Sequence, residues 1–292
     1  MLTATSHTQF GEARIASALV LGALYRAQLV WRHDLLFDSR FSSPHRGTRA
    51  LATVYLVHAG EVEVGDVTYA APVALIASAR EYERYEPGAS YVRTWGDPCL
   101  TLDILLRVEH IRVPVALAHG PVEVSATTWA AVSSMAEAHA MGEPLSSPTQ
   151  DVMRGLAADG VVAPELAETG GVESPSVERM WNALARHHDN WDTSIQLADL
   201  AEQAAMSSRQ LSRDAQSLLE RVALDDVRFR DVVVAVRLRL AALLLSAREA
   251  TIAEVAQRVG YGSVDALGRA FRDAGLPPPH AIRELVISPR TR

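Results

Sequence analysis

The chain has 292 residues, 48% of them apolar, and 35 acidic against 28 basic side chains, for a formal charge of −7. That length predicts two domains. No apolar run approaches the ~20 residues a helix needs to cross a bilayer, and the one cysteine, Cys99, excludes an internal disulfide. The start of the chain has neither a basic leader nor a signal core, and a reducing cytoplasm is the expected location. The acidity is uneven. Residues 1–189 hold 14 arginines against 22 acidic residues, and residues 190–292 hold 14 against 13. Net acidity therefore does not bar the C-terminal region from meeting a polyanion. All 28 basic residues are arginine, which points to a GC-rich source more than to a function.

In chain order, "IASALVLGALY" is apolar but too short for a membrane segment and reads as core. From about Val20 to Val124, short apolar runs with partial alternation recur roughly every 8 to 12 residues, the pattern of an all-β sandwich or barrel. "HAGEVEVGDVTYA" reads as a hairpin, with Val62 and Val64 on one face, Glu61 and Glu63 on the other, and Gly65-Asp66 at the turn. The period then becomes helical. "TTWAAVSSMAEAHAM", Thr127 to Met141, lines up Trp129, Val132, Met135 and Ala136, and "TQDVMRGLAADGVV" gives a second short helix before Pro164. These two helices need a partner surface, either the barrel or a second subunit. "ETGGVESPS", Glu168 to Ser176, is the best linker, and everything after it reads as helix.

Within this helical region a single pattern occurs twice, 55 residues apart, starting at Leu197 and Ile252. Each copy has alanine four positions on (Ala201, Ala256), a small residue four further (Ala205, Gly260), then a leucine anchor (Leu211, Leu267). A small residue allows a close crossing and a tight turn, and the later leucine plugs the angle between two helices, which is what a helix-turn-helix requires. "RFRDVVVAVRLRLAALLLS" between the copies predicts a helix of about 28 Å at 1.5 Å per residue, near the ~34 Å between successive major grooves.

The stretch "RLRLAALLLSAREATIAEVAQRVGYGSVDALGRAFRDAGLPP" resembles the AraC/XylS family of transcription regulators. The resemblance lies in Ile-Ala-x-Val-Ala, Gly-aromatic-x-Ser, Arg-x-Phe-Arg and Gly-x-x-Pro; the first copy matches more loosely. It implies recognition helices at Ser208 to Ser217 and Ser263 to Asp273. Arg209, Gln210, Ser212 and Arg213 would face DNA from the first, and Ser263, Val264, Asp265, Gly268 and Arg269 from the second. The side chains suit that role: arginine bridges guanine O6 and N7, glutamine bridges adenine, aspartate accepts from cytosine N4 and valine meets a thymine methyl. Ser207 and Ser263 can cap their helices or donate to phosphate. The chain departs from the family in about eight extra residues between Leu211 and Arg237, in "DAQSLL" where an aromatic is usual, in one residue fewer between Phe271 and Gly275, and in Ala281 where an aromatic is usual.

"YLVHAGEVEVGDVTYAAPVALIAS" resembles the first motif of the family's cupin-like sensor barrels. His33, His45, His58, His110 and His119 form no His-x-His pair, and "AREYERY" stands where a second motif would supply histidine, so neither metal nor cofactor is expected. A small organic effector in an apolar barrel is expected instead, with Trp31, Tyr55, Tyr69, Tyr82, Tyr85, Tyr91 and Trp95 as candidate lining residues. No catalytic constellation is present. The expected architecture is α+β in two domains: a cupin-like effector-binding β-barrel over residues 1–124, a helical connector and dimerisation segment over 125–176, and an all-α double helix-turn-helix DNA-binding domain over 177–292. The expected partners are double-stranded DNA, a small effector and a second copy of the chain, with no membrane. The rival readings are a cupin-type metal enzyme with a helical appendage and a helical interaction module without DNA binding.

Overall fold

The structure, a computed structural model, describes residues 1–41, 51–78, 91–168, 174–188, 197–221 and 228–287. Its N-terminal region is a single antiparallel sheet of eight strands: β1 (Leu2–Phe10), β2 (Ala13–Leu21), β3 (Tyr25–His33), β4 (Phe37–Asp38), β5 (Leu51–Val64), β6 (Val67–Ala70), β7 (Val73–Ser78) and β8 (Val92–Arg107). They lie in the order β1-β2-β3-β8-β5-β6, with β4 also on β8 and β7 also on β5. The β5–β6 hairpin turns at Gly65-Asp66, pairing Val64 with Val67, and it buries Val62 while exposing Glu61 as the alternation requires. The β5–β8 register shifts between Val57 and Glu61. Gly60 sits there at φ +99, where an added Cβ would lie 2.4 Å from the Trp95 carbonyl oxygen, so only glycine lets the two strands bend past each other.

Strands begin earlier than the apolar pattern predicts. In β1 the inward positions are Ala4, Ser6 and Thr8, small and partly polar, so the alternation is buried without being apolar. Ser6 and Ser17 satisfy each other across the strands at 2.8 Å. The run in β2 is apolar on both faces because both are covered: Ala18 and Val20 join the core beneath the connector helices, while Ala13, Ile15, Leu19 and Leu21 meet the C-terminal helices.

Helices α1 (Ala126–Met141), α2 (Ser146–Ala158) and α3 (Glu165–Glu168) follow the sheet. The Ser125 hydroxyl accepts from the Thr128 amide at the start of α1, and Gly142 in the left-handed region ends it. Val132, Met135 and Ala138 are buried against sheet residues such as Val20, Leu29, Leu56 and Ile104, with Trp129 and Ala136 packed alongside. The sheet is thus the partner of α1, and α2 packs on α1 and closes the same core.

The C-terminal region is helical: α4 (Pro175–His188), α5 (Leu197–Gln203), α6 (Ser208–Arg221), α7 (Phe229–Leu244), α8 (Ile252–Arg258), α9 (Val264–Asp273) and α10 (Pro279–Ile287). It forms two apolar clusters. Met180, Leu200, Leu211 and Leu218 of α4 to α6 gather with Ala4 and Leu21 of the sheet. Leu238, Leu244, Val255, Leu267, Phe271 and Ile282 of α7 to α10 gather with Ala13, Ile15, Leu35, Leu36 and Phe41. Each such side chain taken fully from water contributes about 1.5–3 kcal/mol. Polar contacts add to this join: Trp181 Nε1 donates to the Thr3 carbonyl at 3.2 Å, the Leu36 amide donates to Ser246 Oγ at 2.8 Å, and Arg258 donates to Thr8 Oγ1. Among the described residues, no helix is long and apolar enough to cross a membrane.

Candidate nucleic-acid interface

The two copies of the sequence repeat fold alike. In the first, the Met206 amide donates to the Ala201 carbonyl and the Ala205 amide to that of Glu202; in the second, Tyr261 donates to Ala256 and Gly260 to Gln257. Both are Schellman turns, with Ala205 at φ +51 and Gly260 at φ +80 as their left-handed residues. The next helix is capped in each case by serine: Gln210 N donates to Ser207 Oγ at 3.2 Å, and Ala266 N donates to Ser263 Oγ at 3.1 Å. α6 starts five residues after α5 ends and α9 six after α8, so the second turn is one residue longer. Leu211 and Leu267 are fully buried at the helix crossings. The helix joining the units, α7, has 16 residues, or about 24 Å.

On α9, Val264, Asp265 and Arg269 are exposed and Gly268 lies between them on the same face, while Leu267 and Phe271 point into the core. A Cβ on Gly268 would meet nothing within 4 Å, so internal packing gives no reason for glycine there. On α6, Arg209, Ser212 and Arg213 are exposed and Gln210 is half-buried. Ser212 Oγ donates back to the Ser208 carbonyl at 2.8 Å. Gln210 is engaged at both ends: its Nε2 donates to Asp214 Oδ1 at 2.7 Å, and its Oε1 accepts from Arg213 Nη2. Asp214, which sequence reasoning did not single out, is also held by Arg179 of α4, with Nε at 3.0 Å from Oδ2. Its only sequence signal is its position one residue after Arg213 in the stretch that lacks the usual aromatic.

Among the described residues, the expected effector-lining aromatics fall in separate groups. Tyr55 and Tyr69 share an apolar cluster with Val57, Val62 and Leu75. Trp31 stacks on His33, and Trp95 packs with the cluster of α7 to α10. Tyr82 and Tyr85 lie outside the described residues. Tyr91 donates to Glu63 and lies beneath the Arg40 guanidinium at 4.0 Å. Burial raises its phenol pKa to about 12, helped by that hydrogen bond. His58 rests against Trp129, 3.3 Å from Ser133 Oγ, and burial lowers its pKa. His110 faces Glu165 at 3.4 Å, while His45 lies outside the described residues. Among the described residues, no three histidine, cysteine or carboxylate groups converge as metal ligands would.

A cleft lies where sheet and C-terminal helices meet, lined by Leu36, Phe37, Asp38, Phe41, Arg239, Ala242, Leu243 and Val286. The Phe37 ring stands between two guanidiniums, Arg32 at 5.4 Å and Arg239 at 5.3 Å. Arg239 Nη2 is 3.8 Å from Asp103 on β8. Burial pushes the Asp103 carboxyl above its ordinary range, opposed by Arg239, Arg32 and Arg26. Burial, together with Arg239, lowers the Arg26 pKa to about 10. Among the described residues, Arg26 Nε, Arg32 Nε and Asp103 Oδ1 are buried without a hydrogen-bond partner. Arg26, Arg32 and Arg239 thus surround Asp103, while Asp38 on the cleft wall is held by Arg40 and Arg93.

Comparison with solved structures finds weak likenesses. ToxT from Vibrio cholerae aligns at 11% identity over 89% of this chain and 98% of that one, with a TM-score of 0.37. Unsaturated fatty acid bound wild-type ToxT from Vibrio cholerae strain SCE256 aligns at 12% over 97% and 94%, with 0.33. The AraC-like transcriptional activator CuxR aligns at 12% over 72% and 75%, with 0.28. No curated protein matches the chain in sequence. Residues 200–284, which run from α5 through the body of α10, match a family model described as "Helix-turn-helix domain". The C-terminal region of this chain is therefore a helix-turn-helix domain.

Proposed function

We propose that the chain is a sequence-specific DNA-binding transcription regulator of the AraC/XylS type, acting in the cytoplasm as a homodimer under the control of a small molecule. The observation that carries this reading is the paired geometry of α6 and α9. Each is launched by the same turn and serine cap, and each holds an exposed arginine, Arg213 or Arg269, two residues beyond its buried leucine. Arg269 is the cleaner test of the two, because its face of α9 carries no competing side-chain partner among the described residues. Arg269→Ala should weaken binding to the cognate site about 5- to 150-fold and relax base preference at one position, measured by competition among site variants. An equal loss on every sequence would make Arg269 a phosphate contact, and no loss would remove it from the interface. Affinity should also fall steeply with salt; a flat salt series would favour the interaction module without DNA binding.

Control by an effector rests on the resemblance of the N-terminal sheet to the family's sensor domains. The cleft between sheet and α7 is small, about 10 Å³, and places Asp38 beside Arg239, while Tyr55 and Tyr69 are packed among aliphatic side chains. For the second copy of the chain, one surface on offer is the outward face of α1, ending in the exposed Met141.

A further inference from the structure

Resting on the reading of α6 as a recognition helix, we propose that Asp214 is a positioning residue that sets the aim of Arg213. Asp214 is 1% exposed on a helix whose outer face is polar. Arg179 Nε and Nη2 donate to its two oxygens at 3.0 and 3.4 Å, and Gln210 Nε2 donates to Oδ1 at 2.7 Å. An ionised carboxylate only accepts hydrogen bonds, so it fixes which end of the Gln210 amide faces it. The NH2 end is drawn to Asp214, and the carbonyl end is thereby turned to Arg213, whose Nη2 it receives. Gln210 therefore works through Arg213 and is not free to bridge adenine itself while these bonds hold.

The second unit has no such chain. Ala270 stands where Asp214 would be, and among the described residues no side chain holds Arg269. The first unit meets DNA with an arginine already aimed, and the second with one that orders only on contact. The aiming chain also has a root. Arg179 lies two residues before Trp181, whose indole is fastened to the Thr3 carbonyl of β1, so the element that holds Asp214 is seated on the N-terminal sheet.

The test is base preference at each half of the cognate site, measured by competition among all four bases at the positions read by Arg213 and Arg269. Asp214→Asn keeps the shape but presents either an acceptor or a donor to Gln210, freeing the amide to flip. It should cut discrimination at the Arg213 position about tenfold and leave discrimination at the Arg269 position intact, which also shows that the domain is folded. Adding Gln210→Glu should restore discrimination, since a carboxylate at 210 accepts from both neighbours. Unchanged preference in Asp214→Asn, or no recovery in the double variant, would overturn the assignment. If the wild-type chain binds no DNA, the recognition reading itself fails. Arginine side-chain NMR of the free protein then decides this proposal: slowed rotation of the Arg213 guanidinium in the wild type, lost in Asp214→Asn, upholds the chain, and free rotation in both overturns it.

Discussion

Ala205 and Gly260 occupy the same place in two turns and solve the same problem differently. A left-handed backbone costs a residue with a Cβ roughly 1–2 kcal/mol, and glycine almost nothing. Gly260→Ala should therefore destabilise the chain by about 1 kcal/mol in urea unfolding. Ala205→Gly should be neutral or gain up to about 1 kcal/mol, since relief of strain offsets the extra freedom of glycine in the unfolded chain. A clear loss in Ala205→Gly would contradict the left-handed assignment at φ +51. The small residue at each turn was legible in the sequence, because its spacing from Ala201 and Ala256 repeats. The burial of Asp214 was not, since nothing in "DAQSLL" marks an enclosed carboxylate and α4, through Arg179, is what encloses it.

Among the elements, β2 shows how far an apolar pattern can be read. "IASALVLGALY" announced a buried segment, but the two faces of β2 serve different neighbours, and local periodicity carries no information about that. Ile15 points to the helical side and joins Leu238, Leu267 and Phe271. Ile15→Ala should cost about 2–5 kcal/mol. Because its cavity opens inside a cluster shared by sheet and helices, tryptophan fluorescence and far-ultraviolet circular dichroism should shift to the same lower urea midpoint. A shift in one signal alone would mean that sheet and helices unfold independently. β1 illustrates the opposite failure: its inward Ala4, Ser6 and Thr8 are too small and polar to signal a strand, and pairing with β2 along its whole length is what orders them. By contrast α9 was legible almost to the residue, since the serine expected to cap it, Ser263, does so.

For the molecule as a whole, the seam between sheet and helices is what the sequence disclosed least, because it is built from residues more than 200 positions apart, such as Leu36 and Ser246. The expected effector site lay within the sheet, on aromatics that the fold distributes among separate clusters.

The indole of Trp181 on the Thr3 carbonyl has one more implication. β1 ends the described sheet path, and a bare strand edge is a template on which further chains can add. In this chain α4 covers that border, and neighbouring helices cover the oily underside of β2. A fragment cut between α3 and α4 would uncover both surfaces at once, and its fate in solution would be self-association into sheet-rich aggregates.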